Sequence, residues 1–234
     1  LHLPFVLLGD VGYAMSVALM VVFAVLWRQG ERQLLGGALL LLAASPAFWY
    51  EVAVRSDLLH NMLLLALVTW YGARRYPRPT LRQAMGVAVV CGLCCCTRLV
   101  CGIPLVILWL RWYVTARDRK MQVLAALVFL LTVLLVMLPF VVWSWEGMFL
   151  SDTSPLVLQT RQGGIHYALF AAVITAVAGW WQEPRTRNTL TALTLALFFA
   201  YCVAWLPGGD YELFDITYFS TALPFAMFSI SESR

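Results

Sequence analysis

Charged residues are scarce in this chain. Lys, Arg, Asp and Glu make up 12% of its 234 residues, whereas 62% are hydrophobic. A soluble domain carries about 25% charged and about 45–50% apolar residues. The composition therefore excludes an ordinary water-soluble domain and indicates helices whose solvent is the lipid bilayer. We expect an all-α fold, a single multi-pass bundle over residues 1–234 with about eight or nine membrane segments.

Familiar catalytic motifs are missing as well. The chain contains no phosphate-binding P-loop, no dinucleotide-binding glycine motif, no serine-hydrolase elbow and no zinc-protease motif. It also shows no fixed-period repeat and no low-complexity segment. The net charge is only +4, and no basic patch is interleaved with aromatic residues. The sequence therefore predicts no nucleic-acid partner.

The six cysteines do not indicate a disulfide framework or a metal site. All lie inside predicted membrane spans, whereas disulfides usually join exposed loops. The run Cys91-x-x-Cys94-Cys95-Cys96 superficially resembles a metal-ligand spacing, but no His or acid is near it and Arg98 would repel a cation. We interpret these cysteines as small residues packed at a helix interface.

The basic residues that are present set a topology. Twelve of the sixteen Lys and Arg residues fall in four short stretches: Arg28–Arg32, Arg74–Arg82, Arg111–Lys120 and Arg185–Arg187. Most acidic residues lie in the alternate loops: Glu51, Asp57, Glu146, Asp152, Asp210, Glu212 and Asp215. Cytoplasmic loops concentrate Lys and Arg. We therefore predict that loops 28–33, 74–82, 111–120 and 182–188 are cytoplasmic, and that 143–164 faces the outside, the periplasm or a lumen.

Apolar runs between these loops predict the membrane spans. We place them at about 11–27, 34–50, 58–73, 121–142, 165–181, 189–206 and 216–230. Pro139 is expected to stop the span 121–142. Trp or Tyr lies at most span ends, which fits an interfacial aromatic belt. The 28-residue stretch 83–110 has basic flanks on both sides, so we predict two short helices that meet at an outer break near Thr97 and Arg98. Nine crossings result, which place the N-terminus outside and predict a further span upstream.

The segment from Glu51 to Asp57 is the first candidate for chemistry. Glu51, Arg55, Ser56 and Asp57 cluster at the predicted outer surface, just before a helix. A carboxylate there can act as a base, bind a divalent cation or orient a sugar hydroxyl. Alternatively, Ser56 or Asp57 only caps the following helix, and the two roles are compatible. His60 falls on the same helical face as Asp57, as a ligand or as a packing hydrogen-bonder.

Arg98 is the second candidate, because a guanidinium within an apolar stretch is costly unless it meets water or an anion. It could bind a phosphate through a bidentate contact, or it could reach lipid headgroups without a specific ligand. Two outer loops offer further groups that could close over a substrate, although most such charges are simply solvated. These are Glu146, Asp152, Arg161 and His166 in one loop, and Asp210, Glu212, Asp215 and Tyr218 in the other.

Three short motifs resemble those of a known family. The segment Ser45-Pro46-x-x-x-Tyr50 with Asp57 is similar to the "SPxxxY…D" segment of type-C integral-membrane glycosyltransferases. Gly92-Leu93-Cys94-Cys95-Cys96-Thr97-Arg98 with Ile103-Pro104 is similar to their "GLxxxTK/R…P" segment, and Tyr218-x-x-x-x-Leu223-Pro224 to their late "Y…LP" helix. The resemblance spans most of the chain.

The resemblance implies a multi-spanning enzyme that transfers a sugar from a polyprenyl-phosphate-linked donor on the outer face, usually with inversion. In that family the principal catalytic carboxylate comes from the first outer loop. This chain starts after that loop would have ended, so we expect the segment alone to be inactive and Asp57 to have an auxiliary role. Arg98 is then the phosphate partner, and Glu51, Arg55, His60, Asp215 and Tyr218 are further substrate-binding candidates.

Two other functions remain open. Broken helices with a buried charge are typical of transporters, so a transporter or flippase for a lipid-linked or polar solute is the first alternative. Most charges of this chain nevertheless fall in loops, and no inverted repeat is visible. The second alternative is a non-catalytic membrane scaffold, which would require none of Asp57, Arg98 or Asp215. No cofactor beyond a divalent cation is suggested, and the lipid bilayer is the one partner that composition itself predicts.

Overall fold

The computed structural model describes residues 7, 9–10, 12–55, 58–75, 79–98, 101–115, 118–151, 154 and 220–229. Within these residues every regular element is a helix, in agreement with the all-α prediction. The helices are α1 (Tyr13–Arg28), α2 (Arg32–Ala44), α3 (Pro46–Val54), α4 (Leu58–Arg75), α5 (Leu81–Cys95), α6 (Gly102–Thr115), α7 (Arg119–Trp143), α8 (Trp145–Phe149) and α9 (Leu223–Ser229).

Helix α4 is the centre of the bundle, and α1, α3, α5 and α9 pack against it. Its side chains are buried on almost every face from Leu58 to Trp70. Near its end, the Trp70 and Phe228 rings lie 5.5 Å apart between centroids, which fixes α9 against it. A helix that is apolar all round needs neighbours on all sides, and the Leu-rich sequence of α4 meets that requirement.

Helices α5 and α7 approach closely because Gly92 has no side chain. A Cβ atom built on Gly92 would lie 2.9 Å from Cβ of Thr132 and 3.1 Å from the carbonyl oxygen of Phe129. The Thr132 hydroxyl donates a hydrogen bond to the Val128 carbonyl at 2.8 Å, so its position is also held from within α7. In lipid there is no hydrophobic driving force between helices, and small residues at the contact let them pack closely instead.

Helix α7 presents an apolar surface that the other described helices leave uncovered. Its 25 residues extend about 37 Å, enough to cross the hydrocarbon core, and Leu134, Leu135 and Val142 are among its exposed side chains. Asp118 caps its start by accepting a hydrogen bond from the Met121 N–H at 3.1 Å. Of the described helices, α7 is by itself long and apolar enough to span a membrane.

The prediction that Pro139 stops this span is wrong, because α7 continues to Trp143. A proline removes one N–H donor, but the residues after it can still donate to carbonyls of the preceding turn. The helix ends instead at Ser144, whose N–H donates to the Phe140 carbonyl and whose hydroxyl accepts from the Gly147 N–H to begin α8.

The predicted span 34–50 is not one straight helix. It divides at Ser45 into α2 and α3, whose axes differ by 74°. Ser45 adopts an extended backbone conformation and its hydroxyl accepts a hydrogen bond from the Phe48 N–H at 3.3 Å, while Pro46 occupies the first helical position. Ser-Pro at this place is a helix start rather than a helix interior. Helix α3 consequently extends to Val54, into the predicted loop.

The predicted break near Thr97 and Arg98 is confirmed. Helix α5 ends at Cys95 and α6 begins at Gly102. Between them the Thr97 hydroxyl donates to the Cys94 carbonyl at 2.6 Å, and the Arg98 backbone N–H donates to the same carbonyl at 3.3 Å. A side-chain hydroxyl that donates to a carbonyl at the helix end offers the backbone an alternative to a further helical hydrogen bond, which favours ending the helix there.

The number of membrane crossings stays a prediction. Besides α7, the α2–α3 pair is long enough only if the two bent helices are taken together, and α1, α4 and α5 are shorter apolar helices. Helix α6 also continues to Thr115, beyond the boundary expected at 110. The predicted spans 165–181 and 189–206 lie outside the described residues.

Two alanine substitutions in α5 test the close approach to α7. Gly92→Ala should destabilise the bundle by about 1–3 kcal/mol, because overpacking a close contact outweighs the gain in helix propensity. Gly86→Ala is the matched control, since a Cβ there meets no atom within 4 Å. It should be neutral or stabilising by up to about 1 kcal/mol. Thermal unfolding in detergent measures both, and equal tolerance of the two substitutions would refute the contact.

Candidate functional site

Helix α3 buries its charged residue together with Phe48 and exposes its other two aromatic residues. Glu51 is 0% exposed, whereas Trp49 and Tyr50 are 56% and 47% exposed. Val52 and Val54 also face outward. This polarity is the reverse of that of a surface helix in water, and it suits a helix lying at a membrane interface, where Trp and Tyr are enriched.

The Glu51 carboxylate lies at the first turn of α4. Its Oε2 atom accepts a hydrogen bond from the Leu59 backbone N–H at 3.2 Å. The first N–H groups of a helix have no partner inside the helix, and the helix dipole favours a negative charge there. Glu51 therefore joins the bent α2–α3 pair to the central helix by a contact that also stabilises its own charge.

Two further polar side chains are buried in the same turn. His60 is 3% exposed and Asn61 is 0% exposed. We call Glu51, His60 and Asn61 the polar cluster; together they place a carboxylate, an imidazole and an amide at one end of an otherwise apolar helix. Such groups can move a proton, orient a hydroxyl or bind a phosphate. Buried ionisable groups of this kind are candidates for function in membrane proteins.

Arg55 is held at the edge of this region by an ion pair. It ends α3 in the left-handed conformation, with φ 54° and ψ 39°. Its guanidinium pairs with the Asp10 carboxylate, which also accepts a hydrogen bond from the Gly12 N–H at 2.7 Å. The Arg55 side chain is exposed, so the pair contributes little stability but ties the segment before α1 to the end of α3.

The remaining predicted residues are only partly described. Arg98 is partly buried in the turn after α5. Asp57, Asp215 and Tyr218 lie outside the described residues, and so does the predicted N-cap role of Ser56 or Asp57, although α4 begins at Leu58 as that role requires. The sequence also predicts that Asp57 and Arg98 line one outer-facing cavity, and this stays a prediction because Asp57 lies outside the described residues.

Most of the described cysteines occupy packing positions. Cys91, Cys94 and Cys101 are buried in the main hydrophobic core, and the described cysteines form no disulfide. Among the residues that the structure describes, no group of three or more His, Cys, Asp or Glu side chains could hold a metal ion. A divalent cation at Asp57 is therefore supported by the sequence alone.

Sequence reasoning missed part of the polar cluster. Asn61 follows His60 in a Leu-rich helix, and that isolated amide was the available signal. Ser220 and Thr221 are likewise buried, directly before α9. Gln122 is also buried, and its amide donates to the Trp112 carbonyl at 2.9 Å to join α7 to α6. Only the tertiary arrangement shows that these side chains face inward.

No protein-family profile, no curated protein and no solved structure matches this chain. The likeness to type-C glycosyltransferases therefore stands on the three motifs quoted above.

Two substitutions at Glu51 separate its hydrogen bond from its charge. Glu51→Gln keeps an oxygen for the Leu59 N–H, so we expect a change within about 1 kcal/mol, the size of a charge–dipole contribution. Glu51→Leu leaves that N–H buried without its acceptor, which typically costs about 1–3 kcal/mol. Thermal unfolding in detergent compares the two. A Leu variant as stable as the Gln variant would show that the contact with α4 is unimportant.

Proposed function

We propose that this chain is part of a multi-pass membrane glycosyltransferase that uses a polyprenyl-phosphate-linked sugar on the outer face of the membrane. The observation that carries the proposal is the fully buried Glu51 carboxylate, held at the N-terminus of α4 beside His60 and Asn61. An ionisable cluster is expensive in an apolar bundle, so its presence is most simply explained by a polar substrate.

The reversed polarity of α3 supports the position of this site. Trp49 and Tyr50 face outward while Glu51 faces inward, which places the polar cluster just beneath an interfacial helix. The charge asymmetry of the loops predicts that this end of α4 is the outer one. A lipid-linked donor suits such a site, because its tail stays in hydrocarbon while its phosphate and sugar reach the interface.

The proposed reaction is displacement at the anomeric carbon of the sugar. The acceptor hydroxyl attacks this carbon, the bond to the donor phosphate breaks, and the phosphate leaves with the electron pair. The hydroxyl proton passes to a carboxylate, which the family resemblance assigns to a loop upstream of this chain. Asp57, directly before α4, would orient the acceptor, and the Arg98 guanidinium would bind the departing phosphate.

Other groups have supporting roles in this proposal. Glu51 positions α3 and the first turn of α4, and His60 lies in that turn. Arg55 has Asp10 as its partner in the described structure, so its contribution to substrate binding would require that pair to open. Asp215 and Tyr218 would contact the substrate from the last outer loop.

A transporter is the second candidate, and the two helix breaks favour it. The bend at Ser45 interrupts a predicted span and the break after Cys95 divides one apolar stretch, and such discontinuous helices are a feature of transporters that bind solutes at them. The polar cluster differs from that pattern, because it lies at one end of α4, whereas transporter sites lie halfway along the membrane-spanning helices. Transport activity in sealed vesicles distinguishes the two functions.

The test is sugar transfer by the larger enzyme of which we propose that this chain is part. In proteoliposomes with a polyprenyl-phosphate sugar, Asp57→Asn should lower kcat because it keeps the shape and removes the charge. Arg98→Ala should weaken donor binding about tenfold or more, since a hydrogen bond to a charged group contributes about 1.5–3 kcal/mol. Asp118→Asn is the matched control, because Asn also caps a helix well and Asp118 lies at the start of α7.

Unaltered kcat and donor affinity in both site variants would contradict the residue assignment. Movement of a solute across sealed vesicles without any sugar transfer would replace the enzyme by the transporter.

A further inference from the structure

A cavity touches α4 at Tyr71 and Gly72, at the opposite end of that helix from the polar cluster. Helices α4, α5, α6 and α7 enclose a cavity of about 370 Å³. Its wall is almost entirely apolar and includes Ala88, Cys91, Leu105, Trp109, Trp112 and Phe129. This volume falls within the range of about 300–1,000 Å³ that is typical of pockets for small molecules.

The cavity is elongated along α5. Gln83 and Cys95 both contribute to its wall, and they lie twelve residues apart in the same helix, so the cavity extends over roughly 18 Å. One leaflet of a bilayer is about 15 Å of hydrocarbon, half of the total of about 30 Å. The cavity therefore has the length and the surface of a site for one lipid chain.

One end of the cavity is polar. There the Gln83 side-chain amide donates a hydrogen bond to the Tyr71 hydroxyl at 3.1 Å. The same Gln83 accepts from the Thr80 N–H at 2.9 Å, which fixes its orientation at the start of α5. Tyr71 and Gln83 both line the cavity, so a molecule that fills it meets a hydroxyl and an amide at this end.

Three arginines are close in sequence to the residues of this polar end. Arg74 and Arg75 are in the last turn of α4, two to four residues after the lining residues Tyr71 and Gly72, and Arg82 precedes the lining residue Gln83. These are residues of the loop predicted to face the cytoplasm. Basic pockets between membrane helices on the cytoplasmic side attract anionic lipid headgroups.

We propose that this cavity binds one acyl chain of an anionic phospholipid from the cytoplasmic leaflet, with its phosphate over Arg74, Arg75 and Arg82. The apolar wall selects a hydrocarbon chain, and the arginines select the charge of the headgroup. The basic end of this site is distinct from the proposed sugar-donor site at the other end of α4, although the apolar end of the cavity reaches Cys95, three residues before Arg98. The proposal rests on the membrane topology given above but requires no sugar transfer.

Native mass spectrometry of the delipidated protein in detergent tests the proposal. With phosphatidylglycerol as the probe, one lipid should bind at low concentration, and phosphatidylcholine with the same acyl chains should bind at least about tenfold more weakly. Neutralising the basic end with R74Q, R75Q and R82Q together should reduce phosphatidylglycerol affinity by about tenfold or more, because each basic residue near an anionic lipid contributes a factor of about five.

Cavity-filling variants test the apolar part. Ala88→Phe on α5 and Ala126→Phe on α7 both place a ring in the cavity, from different helices, and each should abolish the tight binding. Ala24→Phe is the matched control on the exposed surface of α1 and should bind as the unaltered protein does. Thermal unfolding identifies any variant that fails to fold.

Each part of the proposal has an outcome that overturns it. Equal affinity for the two lipids, or an unchanged affinity after neutralisation of the three arginines, would overturn the anionic-lipid site even if both filled variants failed to fold. Tight binding that persists in a folded filled variant would show that the acyl chain lies elsewhere. Loss of lipid binding with sugar transfer retained, or the reverse, distinguishes this site from the proposed function.

Discussion

The contact between the Glu51 carboxylate and the first turn of α4 joins the bent α2–α3 pair to the central helix. A buried charge is costly, and here the amide N–H of Leu59 and the dipole of α4 stabilise it. To make this contact, the chain must turn sharply at Ser45, lay α3 over the end of α4 and bury Glu51 against it. The bend, the outward aromatic residues of α3 and the position of the polar cluster all follow from that requirement.

The exterior of the described bundle is apolar, whereas polar side chains lie inside it. Helix α7 exposes Leu and Val along its length, and α3 exposes Trp and Tyr, while charged and amide side chains are buried at α4. In water this arrangement would leave many large apolar side chains of the described helices exposed to solvent. In a bilayer the same surface is solvated, and the buried polar groups are the ones that require an explanation. The substrate proposed for one end of α4 and the lipid headgroup proposed for the other would together provide it.

Much of the fold could be predicted from local patterns. The apolar run of α7 was located to within two residues, and the break near Arg98 followed from basic flanks on both sides of one stretch. Ser45-Pro46 was misinterpreted as a span interior, although a capping serine and a first-turn proline are a local signal. The burial of Glu51 and Asn61 could not be predicted, because it depends on how α3 folds back over α4. No local pattern in the sequence encodes that contact.

Determining which side of the membrane each loop faces tests this account most directly. Single cysteines at Gln29, Lys120 and Glu146, all exposed positions, can be labelled with an impermeant reagent in a background that lacks the native cysteines. The account predicts that positions 29 and 120 are labelled from the cytoplasmic side and that position 146, beyond α7, is labelled from the other. Labelling of all three positions from one side would contradict it, because α7 would then not cross the membrane.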